Sequence, residues 1–304
     1  MIVYLVAHQT KYLDLVFAGL ARQTRKPDLV VTSCDTDDPA IGEVVRAWTN
    51  AVGTPMAWVR RAHHGIARCS QVRNNAARYI INDQGITQGH LIQLDADMLA
   101  PPTLVERHAE HARSAELVYC YRVDVQQDTS AALDARAIAA GGAYPPISED
   151  DRVRLARRDR RYRRQLLMRH LRLGPLHKPK LLGSNWSGSL AVWQTLNGFD
   201  EHYQGWGFLD DEFARRAAKA RARCSVAVAD IPAFHLYHPT RQPPGPMAQN
   251  PNYQRFLDRA LPIRAARGIE DPLDQNPVQA TLFRPGSPSA PAVETQPTRT
   301  AQPA

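Results

Sequence analysis

A short apolar stretch that ends in two carboxylates constrains this chain more than any other feature. Residues 90–102 read His-Leu-Ile-Gln-Leu-Asp-Ala-Asp-Met-Leu-Ala-Pro-Pro. The apolar run predicts a buried strand, and Asp95 and Asp97 follow it directly, before the Pro-Pro stop. In an open α/β sheet, ligands bind at the carboxyl ends of strands, and two hard oxygen donors suit a divalent cation that also holds phosphate oxygens. The stretch therefore predicts a site for a metal ion and a phosphorylated ligand such as a nucleotide sugar.

Two other interpretations of this stretch stay open at this point. An Asp-rich turn is common where a strand gives way to a loop, and an Asp-x-Asp pair alone is a weak motif. Phosphatases of the haloacid dehalogenase type also place Asp-x-Asp after an apolar strand. Their motif usually lies near the start of the chain with Thr two residues on, whereas Met98 and Leu99 follow here. The choice between these interpretations depends on the rest of the chain.

Length and composition indicate a globular protein. The chain has 304 residues, of which 43% are hydrophobic and 22% charged, enough for one large α/β domain or two lobes that share a sheet. No run approaches the roughly 20 apolar residues of a membrane span. The first residues, Met-Ile-Val-Tyr-Leu-Val-Ala-His, predict a strand and not a signal peptide. Cys34, Cys69, Cys120 and Cys224 are far apart, which favours reduced thiols in a cytoplasmic protein over a disulfide frame or a zinc site.

The first part of the chain alternates strands and helices. Apolar runs predict strands at residues 2–7, 29–31 and 56–60, and one-sided apolar patterns predict helices at residues 13–22 and 41–49. Strand, helix and strand at this spacing imply parallel pairs with right-handed crossovers. The expected fold class is therefore α/β, with a Rossmann-like, mostly parallel sheet flanked by helices.

A further helix is predicted to start at Ser70, as its N-cap, and to continue to Ile80. Its amino end would face the carboxyl ends of the strands. There, its amide dipoles and Arg73 would hold a diphosphate near the cation of Asp95 and Asp97.

The formal net charge of +8 is spread unevenly, because residues 152–180 hold twelve Lys or Arg and one acid, Asp159. A solvated helix with some apolar anchoring explains such a run, since charge runs usually face solvent. Attraction to an anionic membrane surface explains it as well, at about 1 kcal/mol per basic residue. Nucleic acid explains it less well, because Tyr162 is the only aromatic residue of the block. We expect peripheral contact with the inner face of an anionic membrane and no nucleic-acid partner.

A second informative stretch, residues 181–216, combines glycines, tryptophans and acids. Glycines let a backbone approach a ligand closely, and flat aromatic faces suit the apolar faces of sugar rings. Asp210 and Asp211 stand where a helix is predicted to start, so they either act on a ligand or merely cap that helix. The residues expected to contact the substrate are Gly183, Asn185, Trp186, Trp206 and Gly207.

Four motifs follow one another in the first half: Val-Tyr-Leu-Val at residues 3–6, Gln-Thr-x-x-Pro-x-x-Val-Val at 23–31, Arg-Asn at 73–74 and Leu-Asp-Ala-Asp at 94–97. Their order resembles glycosyltransferase family two, which has the GT-A fold. The resemblance implies that Asp35 contacts the nucleoside of the donor and that Arg73 and Asn74 lie near its pyrophosphate. It also implies that Asp97, together with Asp95, binds manganese or magnesium.

Residues 197–211 read Asn-Gly-Phe-Asp-Glu-His-Tyr-Gln-Gly-Trp-Gly-Phe-Leu-Asp-Asp. They resemble the acceptor half shared by β-1,4-galactosyltransferases, chondroitin polymerases and related bacterial enzymes. The resemblance implies that Asp210 is the general base of an inverting reaction, with Asp211 beside it in the catalytic group. Leu209 stands where these enzymes usually have Glu.

Residues 231–240, Ile-Pro-Ala-Phe-His-Leu-Tyr-His-Pro-Thr, occupy the place from which this family supplies a third protein ligand to the metal. A lone histidine is more often a packed residue than a ligand. His235 and His238 are both candidates, and their spacing does not choose between them. Imidazole together with carboxylate suits manganese somewhat better than magnesium.

The sequence thus predicts a metal-dependent, inverting glycosyltransferase with Mn²⁺ or Mg²⁺ as cofactor. Its donor would be a nucleotide-diphosphate sugar, in particular a UDP-sugar, and its acceptor a saccharide or glycolipid hydroxyl. Leu209 motivates an alternative, a nucleotide-sugar or carbohydrate-binding protein that does not turn over. A magnesium-dependent phosphatase is the third interpretation.

We expect four parts along the chain. Residues 1–115 would form the nucleotide-sugar-binding half, and residues 116–245 the acceptor-binding and catalytic half, with a basic insertion at residues 150–180. Residues 246–270 are expected to hold a C-terminal helix. The polar residues 271–304 include seven prolines, which predicts a disordered tail.

Overall fold

The computed structural model describes residues 1–205, 207–239, 246–258, 260 and 262–287, and the backbone of residues 296 and 297. The strands are β1 (Ile2–Ala7), β2 (Leu29–Cys34), β3 (Met56–Arg60), β4 (His90–Asp95), β5 (Met98–Leu99), β6 (Leu117–Tyr119), β7 (Tyr121–Asp124), β8 (Asn185–Ser189), β9 (Cys224–Val226), β10 (Pro232–His235), β11 (Gln279–Phe283) and β12 (Gln296–Pro297). The α-helices are α1 (Leu13–Ala21), α2 (Pro39–Val52), α3 (Cys69–Arg78), α4 (Leu104–Ala112), α5 (Gln127–Ala131), α6 (Ala135–Ala139), α7 (Glu149–His170), α8 (Leu190–Leu196), α9 (Leu209–Lys219) and α10 (Pro251–Leu257). Among the residues described, no helix combines the length and apolar character that crossing a bilayer requires.

A nine-stranded sheet forms the centre of the molecule, in the order β12-β11-β3-β2-β1-β4-β8-β6-β9. Strands β3, β2, β1 and β4 run parallel, whereas β8 runs antiparallel between β4 and β6. The register pairs Val6 of β1 with Ser33 of β2 and with Asp95 of β4, so these strands end at one edge of the sheet. The predicted Rossmann-like α/β fold is confirmed, and the two halves of the chain share one sheet.

Helices cover both faces of this sheet. Along β1, Ile2, Tyr4 and Val6 join one apolar cluster, which includes side chains of α3, α8 and α9. Val3 and Leu5 join a second cluster on the other face, with side chains of α2 and α4. Burial on both faces explains why β1 reads as an uninterrupted apolar run and not as an alternating pattern.

A second, three-stranded sheet in the order β5-β10-β7 starts where β4 ends. Strand β10 is antiparallel to β5 and parallel to β7, and its register places His235 opposite both Met98 and Asp124. Residues 117–124 form the two strands β6 and β7, which separate at Cys120 to join different sheets. This crossing brings His235 next to the turn between β4 and β5.

The C-terminal region departs from the sequence prediction. The helix expected within residues 246–270 is the short α10, and the expected disordered tail is wrong for Gln279–Phe283, which forms β11. Strand β11 pairs antiparallel with β3 along its full length. Prolines and polar residues surround the β-prone run Ala-Thr-Leu-Phe, and this composition led to the prediction of disorder. The run forms a strand because the free edge of β3 supplies its hydrogen-bond partners.

Candidate active site

Two carboxylates and one arginine meet at the edge where β1 and β4 end. Asp95 is the last residue of β4, and Asp210 lies in the first turn of α9. Arg73 of α3 lies between them, with its Nη2 3.9 Å from Asp95 Oδ1 and 3.9 Å from Asp210 Oδ1. Asp95, from the predicted donor half, and Asp210, from the predicted acceptor half, therefore lie on either side of the Arg73 guanidinium. We call this group, with the metal-ligand candidates described below, the strand-end site.

Arg73 is held by Gln93, a residue that the sequence analysis did not single out. The Arg73 side chain is 7% exposed, and its Nε donates to Gln93 Oε1 at 3.0 Å. The same oxygen accepts from Trp186 Nε1 at 3.1 Å. Burial works against the charge of Arg73, but the carboxylates of Asp210 and Asp95 raise its pKa overall, so it remains a cation. The sequence signal that could have identified Gln93 is its place as the one polar residue inside the apolar run of β4.

The carboxylate of Asp210 is packed but has unused hydrogen-bonding capacity. Its side chain is 20% exposed, and its buried Oδ1 has no hydrogen-bond partner among the described residues. Burial raises the pKa of Asp210, the Arg73 cation opposes this, and the neighbouring Asp211 adds to it. The backbone of Gly183 passes so close that a Cβ at this position would collide with the Asp210 carboxylate. Gly183, predicted to contact the substrate, thus makes room for the proposed base.

Asp211, the other acid predicted in the catalytic group, already has a partner. Its Oδ2 lies 3.5 Å from Lys180 Nζ, and its side chain is 13% exposed. Burial raises the pKa of Asp211, whereas Lys180 lowers it. Asp211 is thus paired with Lys180, and its negative charge is one of the causes that raise the pKa of Asp210.

Asp97, His235 and His238 converge on one point. One ligand atom from each lies within 4.8 Å of the other two, with His238 Nε2 3.1 Å and His235 Nε2 3.6 Å from Asp97 Oδ2. Asp97 Oδ1 is buried without a hydrogen-bond partner in the described part of the chain, which leaves its lone pairs for a cation. Two imidazoles and a carboxylate fit a divalent transition metal. Spacing did not choose between the histidines, and the structure brings in both, whereas Asp95, predicted as a ligand, lies outside the group and faces Arg73.

Asp124 supports this group from β7. Its Oδ1 lies 3.0 Å from His235 Nδ1, so the Nε2 of the same ring is turned toward Asp97. Burial lowers the pKa of His235, but the hydrogen bonds with Asp124 and Asp97 raise it to about 9. A carboxylate on the distal nitrogen fixes the orientation of a metal-binding imidazole. No local pattern could have revealed Asp124, because its contact depends on the pairing of β7 with β10.

Asp35, predicted to contact the nucleoside, is internally paired. Its side chain is fully buried, and its Oδ2 accepts from the amide of Arg68 at 3.1 Å and lies 3.1 Å from His63 Nδ1. Arg61 Nε lies 3.4 Å from its Oδ1. Asp35 thus fixes the loop before α3, whereas its Oδ1 is buried without a hydrogen-bond partner among the described residues, and its contact with the nucleoside stays a prediction.

Two polar residues of α3 also have structural partners. Asn74, predicted near the pyrophosphate, donates from Nδ2 to Phe199 O and Glu201 Oε1, both at 2.9 Å. Ser70, predicted as the N-cap, donates to Tyr203 O at 3.0 Å, and α3 begins one residue earlier. Both side chains are buried and anchor the loop at residues 199–203 to α3. The N-cap prediction for Ser70 is wrong, whereas the placement of Asn74 near the pyrophosphate stays a prediction.

Asn185 and Trp186, predicted to contact the substrate, lie in the interior. Asn185 Nδ2 donates to the carbonyls of Tyr121 at 2.8 Å and Ile231 at 2.9 Å. Trp186 is fully buried and stacks on Trp193, with ring centroids 5.9 Å apart. These two predictions are wrong, because the connections of the small sheet and the aromatic side chains of α8 and α9 cover this end of β8.

The glycine-rich loop before α9 is only partly described. Trp206, predicted to contact the substrate, lies outside the described residues. Gly207 has φ +98°, which favours glycine, and its carbonyl accepts from Asn252 Nδ2 at 3.1 Å. A cavity of about 630 Å³ adjoins this loop, lined by His202, Gln204 and residues of α10. Gly207 thus shapes the entry to α9, beside open space.

Comparison with known proteins finds one family model that matches part of the chain. Residues 168–239 match the family model described as the N-terminal domain of galactosyltransferase. The matched segment contains Asp210, His235 and His238. No curated protein matches the sequence significantly.

Solved structures with similar architecture include two proteins. Staphylococcus aureus TarS, residues 1–349 in complex with UDP-GlcNAc, is 13% identical with a TM-score of 0.49, over 79% of this chain and 59% of that one. Another TarS structure has 13% identity and a TM-score of 0.46, over 78% of this chain but 36% of the other. Glucosyl-3-phosphoglycerate synthase from Mycobacterium tuberculosis, with Mn²⁺, UDP and glucosyl-3-phosphoglycerate, is 12% identical with a TM-score of 0.42, over 79% of this chain and 72% of that one.

The chain spans only about a third to three fifths of the TarS chains it matches. Its own strand order and helical layers, together with the matched segment, define its architecture. The chain has a Rossmann-like α/β fold, and the segment that contains α9 and β10 matches the galactosyltransferase family model.

Proposed function

We propose that the protein is a metal-dependent, inverting glycosyltransferase that moves a sugar from a nucleotide-diphosphate donor, a UDP-sugar, to a saccharide or glycolipid hydroxyl. One observation carries the proposal. The buried carboxylate of Asp210 shares Arg73 with Asp95, at the same strand ends where Asp97 meets two imidazoles. The strand-end site therefore combines a base for the acceptor, Asp210, with positive charge for a diphosphate from Arg73 and the proposed cation.

Asp210 is the proposed general base. Its carboxylate, whose Oδ1 has no hydrogen-bond partner among the described residues, accepts the proton of the acceptor hydroxyl as that oxygen attacks the anomeric carbon and the bond to the leaving diphosphate breaks. Burial raises the pKa of this carboxyl above its ordinary value, which makes its anion a stronger proton acceptor while Arg73 keeps it ionised. A positioned base of this kind contributes roughly a hundred- to ten-thousandfold to the rate.

Asp97, His235 and His238 are the proposed ligands of a divalent cation, for which manganese fits the mixed nitrogen and oxygen donors better than magnesium. When bound, such a cation neutralises charge on the leaving diphosphate. Arg73, itself a buried cation, is placed to contact the same phosphates, which supports its predicted role beside the donor. Asp124 holds His235 in the orientation that faces Asp97.

Release of UDP from a panel of UDP-sugars, with saccharide acceptors and MnCl₂, tests the proposal. Asp97→Ala should lose both turnover and calorimetric binding of Mn²⁺, because it removes the carboxylate that both histidines approach. Asp28→Ala is the matched control and should keep both, because Asp28 is an exposed acid directly before β2, at the sheet edge opposite the carboxyl ends of β1, β2 and β4. Full Mn²⁺-dependent turnover by Asp97→Ala would defeat the assignment.

A second candidate is a binding protein that holds a nucleotide sugar without turnover. Leu209 favours it, because this buried residue stands where the resembling enzymes usually have Glu. Calorimetry distinguishes the candidates: such a protein binds UDP with Mn²⁺ yet releases no UDP with any acceptor. The phosphatase interpretation loses support, because Mg²⁺ prefers oxygen ligands and Asp97 is flanked by two imidazoles.

A further inference from the structure

We infer that the outer face of α7 and the turn that follows it form a docking surface for an anionic lipid bilayer. We call this surface, residues 152–176, the basic-apolar face. The proposal goes beyond the proposed function, since it concerns where the protein resides and does not depend on turnover. It rests on three features: a helix anchored along one side, unpaired arginines along the other, and a cluster of exposed leucines at its end.

The inner side of α7 is fixed to the body of the protein. Leu155, Asp159 and Tyr162 are buried at helical spacing, and the Tyr162 ring packs edge-on against Tyr119. Two turns further, Arg169 donates to Cys224 Sγ at 3.1 Å. The helix therefore presents its opposite side in a fixed orientation.

The structure separates the arginines of this block into two groups. Some already have partners: Arg158 lies over the Tyr121 ring at 3.8 Å, and Arg163 pairs with Asp159. Others are exposed and have no acidic partner within 4 Å among the described residues; these are Arg152, Arg157, Arg160, Arg161, Arg164 and Arg172. By helical spacing, Arg157, Arg160, Arg161 and Arg164 share the side of α7 opposite Leu155 and Tyr162, and the only acid within residues 152–176, Asp159, is buried. A guanidinium of this kind suits lipid phosphate oxygens.

The end of the face is apolar. Leu167, Met168, Leu171, Leu173 and Leu176 are all exposed, from 37% for Met168 to 70% for Leu173. They account for five of the eleven exposed large apolar residues in the described part of the chain, within ten consecutive positions. Exposed apolar residues are usually scattered singly, so a cluster marks an interaction surface.

A groove of about 400 Å³ opens within this cluster. Met168, Leu173 and Pro175 line it with apolar surface, and Arg164 and Lys178 also line it. Apolar walls together with two cations match the two chemistries of a lipid, an acyl chain and an anionic headgroup.

Charge and composition favour a bilayer over other partners. A second copy of the chain would bring one arginine surface against another, and like charges repel. Single-stranded nucleic acid would need aromatic platforms, but Tyr162, the aromatic residue of the block, is buried. An anionic bilayer satisfies both the arginines and the leucines.

Co-sedimentation of the full chain with lipid vesicles tests the inference. We expect binding to vesicles of phosphatidylcholine mixed with phosphatidylglycerol, weakening with added salt, and little binding to phosphatidylcholine alone. Combined Arg157→Gln, Arg160→Gln and Arg161→Gln should weaken binding about a hundredfold, since each basic residue near an anionic leaflet contributes about fivefold. Combined Leu171→Gln and Leu173→Gln should weaken it at least about tenfold, because burying a leucine side chain favours the bound state.

The control combines Arg25→Gln with Met247→Gln, which removes one exposed cation and one exposed apolar side chain elsewhere and should leave binding unchanged. Failure of the unmodified chain to sediment with anionic vesicles would overturn the inference. So would binding that neither variant weakens. A dimer in sedimentation velocity that Leu171→Gln and Leu173→Gln dissolve, without vesicle binding, would instead assign the face to a second copy. Capture of an RNA oligonucleotide in place of vesicles would assign it to nucleic acid.

Discussion

Strands β4 and β8 are neighbours in one sheet, yet their polar residues serve opposite purposes. Asp95 ends β4 and remains one third exposed beside Arg73. Asn185, paired with Leu94 in the register, lies at the same edge on β8 but is buried under Tyr121 and Ile231. The two residues differ in what covers them and not in their polarity or their place in the sheet. Availability to a ligand is therefore decided by the elements packed over a strand end.

The largest effect is expected at the uncovered end. Asp210→Asn keeps the shape of the side chain but removes the base, so kcat should fall about a hundred- to ten-thousandfold while UDP binding persists. Single-turnover kinetics and calorimetry with UDP and Mn²⁺ provide the measurement, with Asp28→Asn as the control for loss of one exposed charge. An unchanged kcat would contradict the view that the end of β4 is catalytic whereas the end of β8 is structural.

At the covered end of β8, a substitution is expected to lower the stability of the protein and to leave catalysis unchanged. Trp186→Ala should lower the free energy of unfolding by about 3–5 kcal/mol, because it removes a fully buried indole from an aromatic cluster. The KM for the acceptor, measured on the folded protein, should not change. Denaturant unfolding gives the first quantity, and Trp48→Ala, at a half-buried position, should cost less. A raised KM with native stability would restore Trp186 as a sugar contact.

A smaller effect is expected at Asp124, which supports the proposed metal ligands Asp97, His235 and His238. Asp124→Asn should weaken Mn²⁺ binding about ten- to a hundredfold, because His235 loses the carboxylate that orients its ring. The exposed position of Asp124 predicts little change in stability. Calorimetric titration with MnCl₂ measures the affinity, and Asp128→Asn serves as an exposed control. Equal affinity in the two variants would show that Asp124 does not orient His235.

The smallest effect concerns pH. A general base works only when deprotonated, so activity should be full above the raised pKa of Asp210 and lost as the pH falls through it. Asp211→Asn removes one cause of that raised pKa, and the acid limb of kcat/KM should move to lower pH. A pH–rate profile of both proteins measures the shift. Movement to higher pH would contradict the assignment of the limb to Asp210.

Sequence reasoning succeeded where a signal is local. Apolar runs and one-sided patterns located β1 to β4 and the helices between them, because burial on one or both faces imposes the period. Asp97 stood out because it follows a predicted strand directly, and Asp210 because its surroundings resemble a known acceptor region; their roles stay predictions. In contrast, the contacts of Gln93, Asp124 and Asn185 depend on pairing between distant strands, which no window of sequence contains.

Strand β11 makes the stability of the N-terminal sheet depend on residues near the other terminus. It hydrogen-bonds the full length of β3, and Asp274, shortly before it, pairs with Arg61 and Arg68 next to Asp35. A proteolytic cut ahead of residue 279 would expose a row of unpaired amides and carbonyls on β3, a template for joining other molecules. Such a cut should make the protein prone to aggregate.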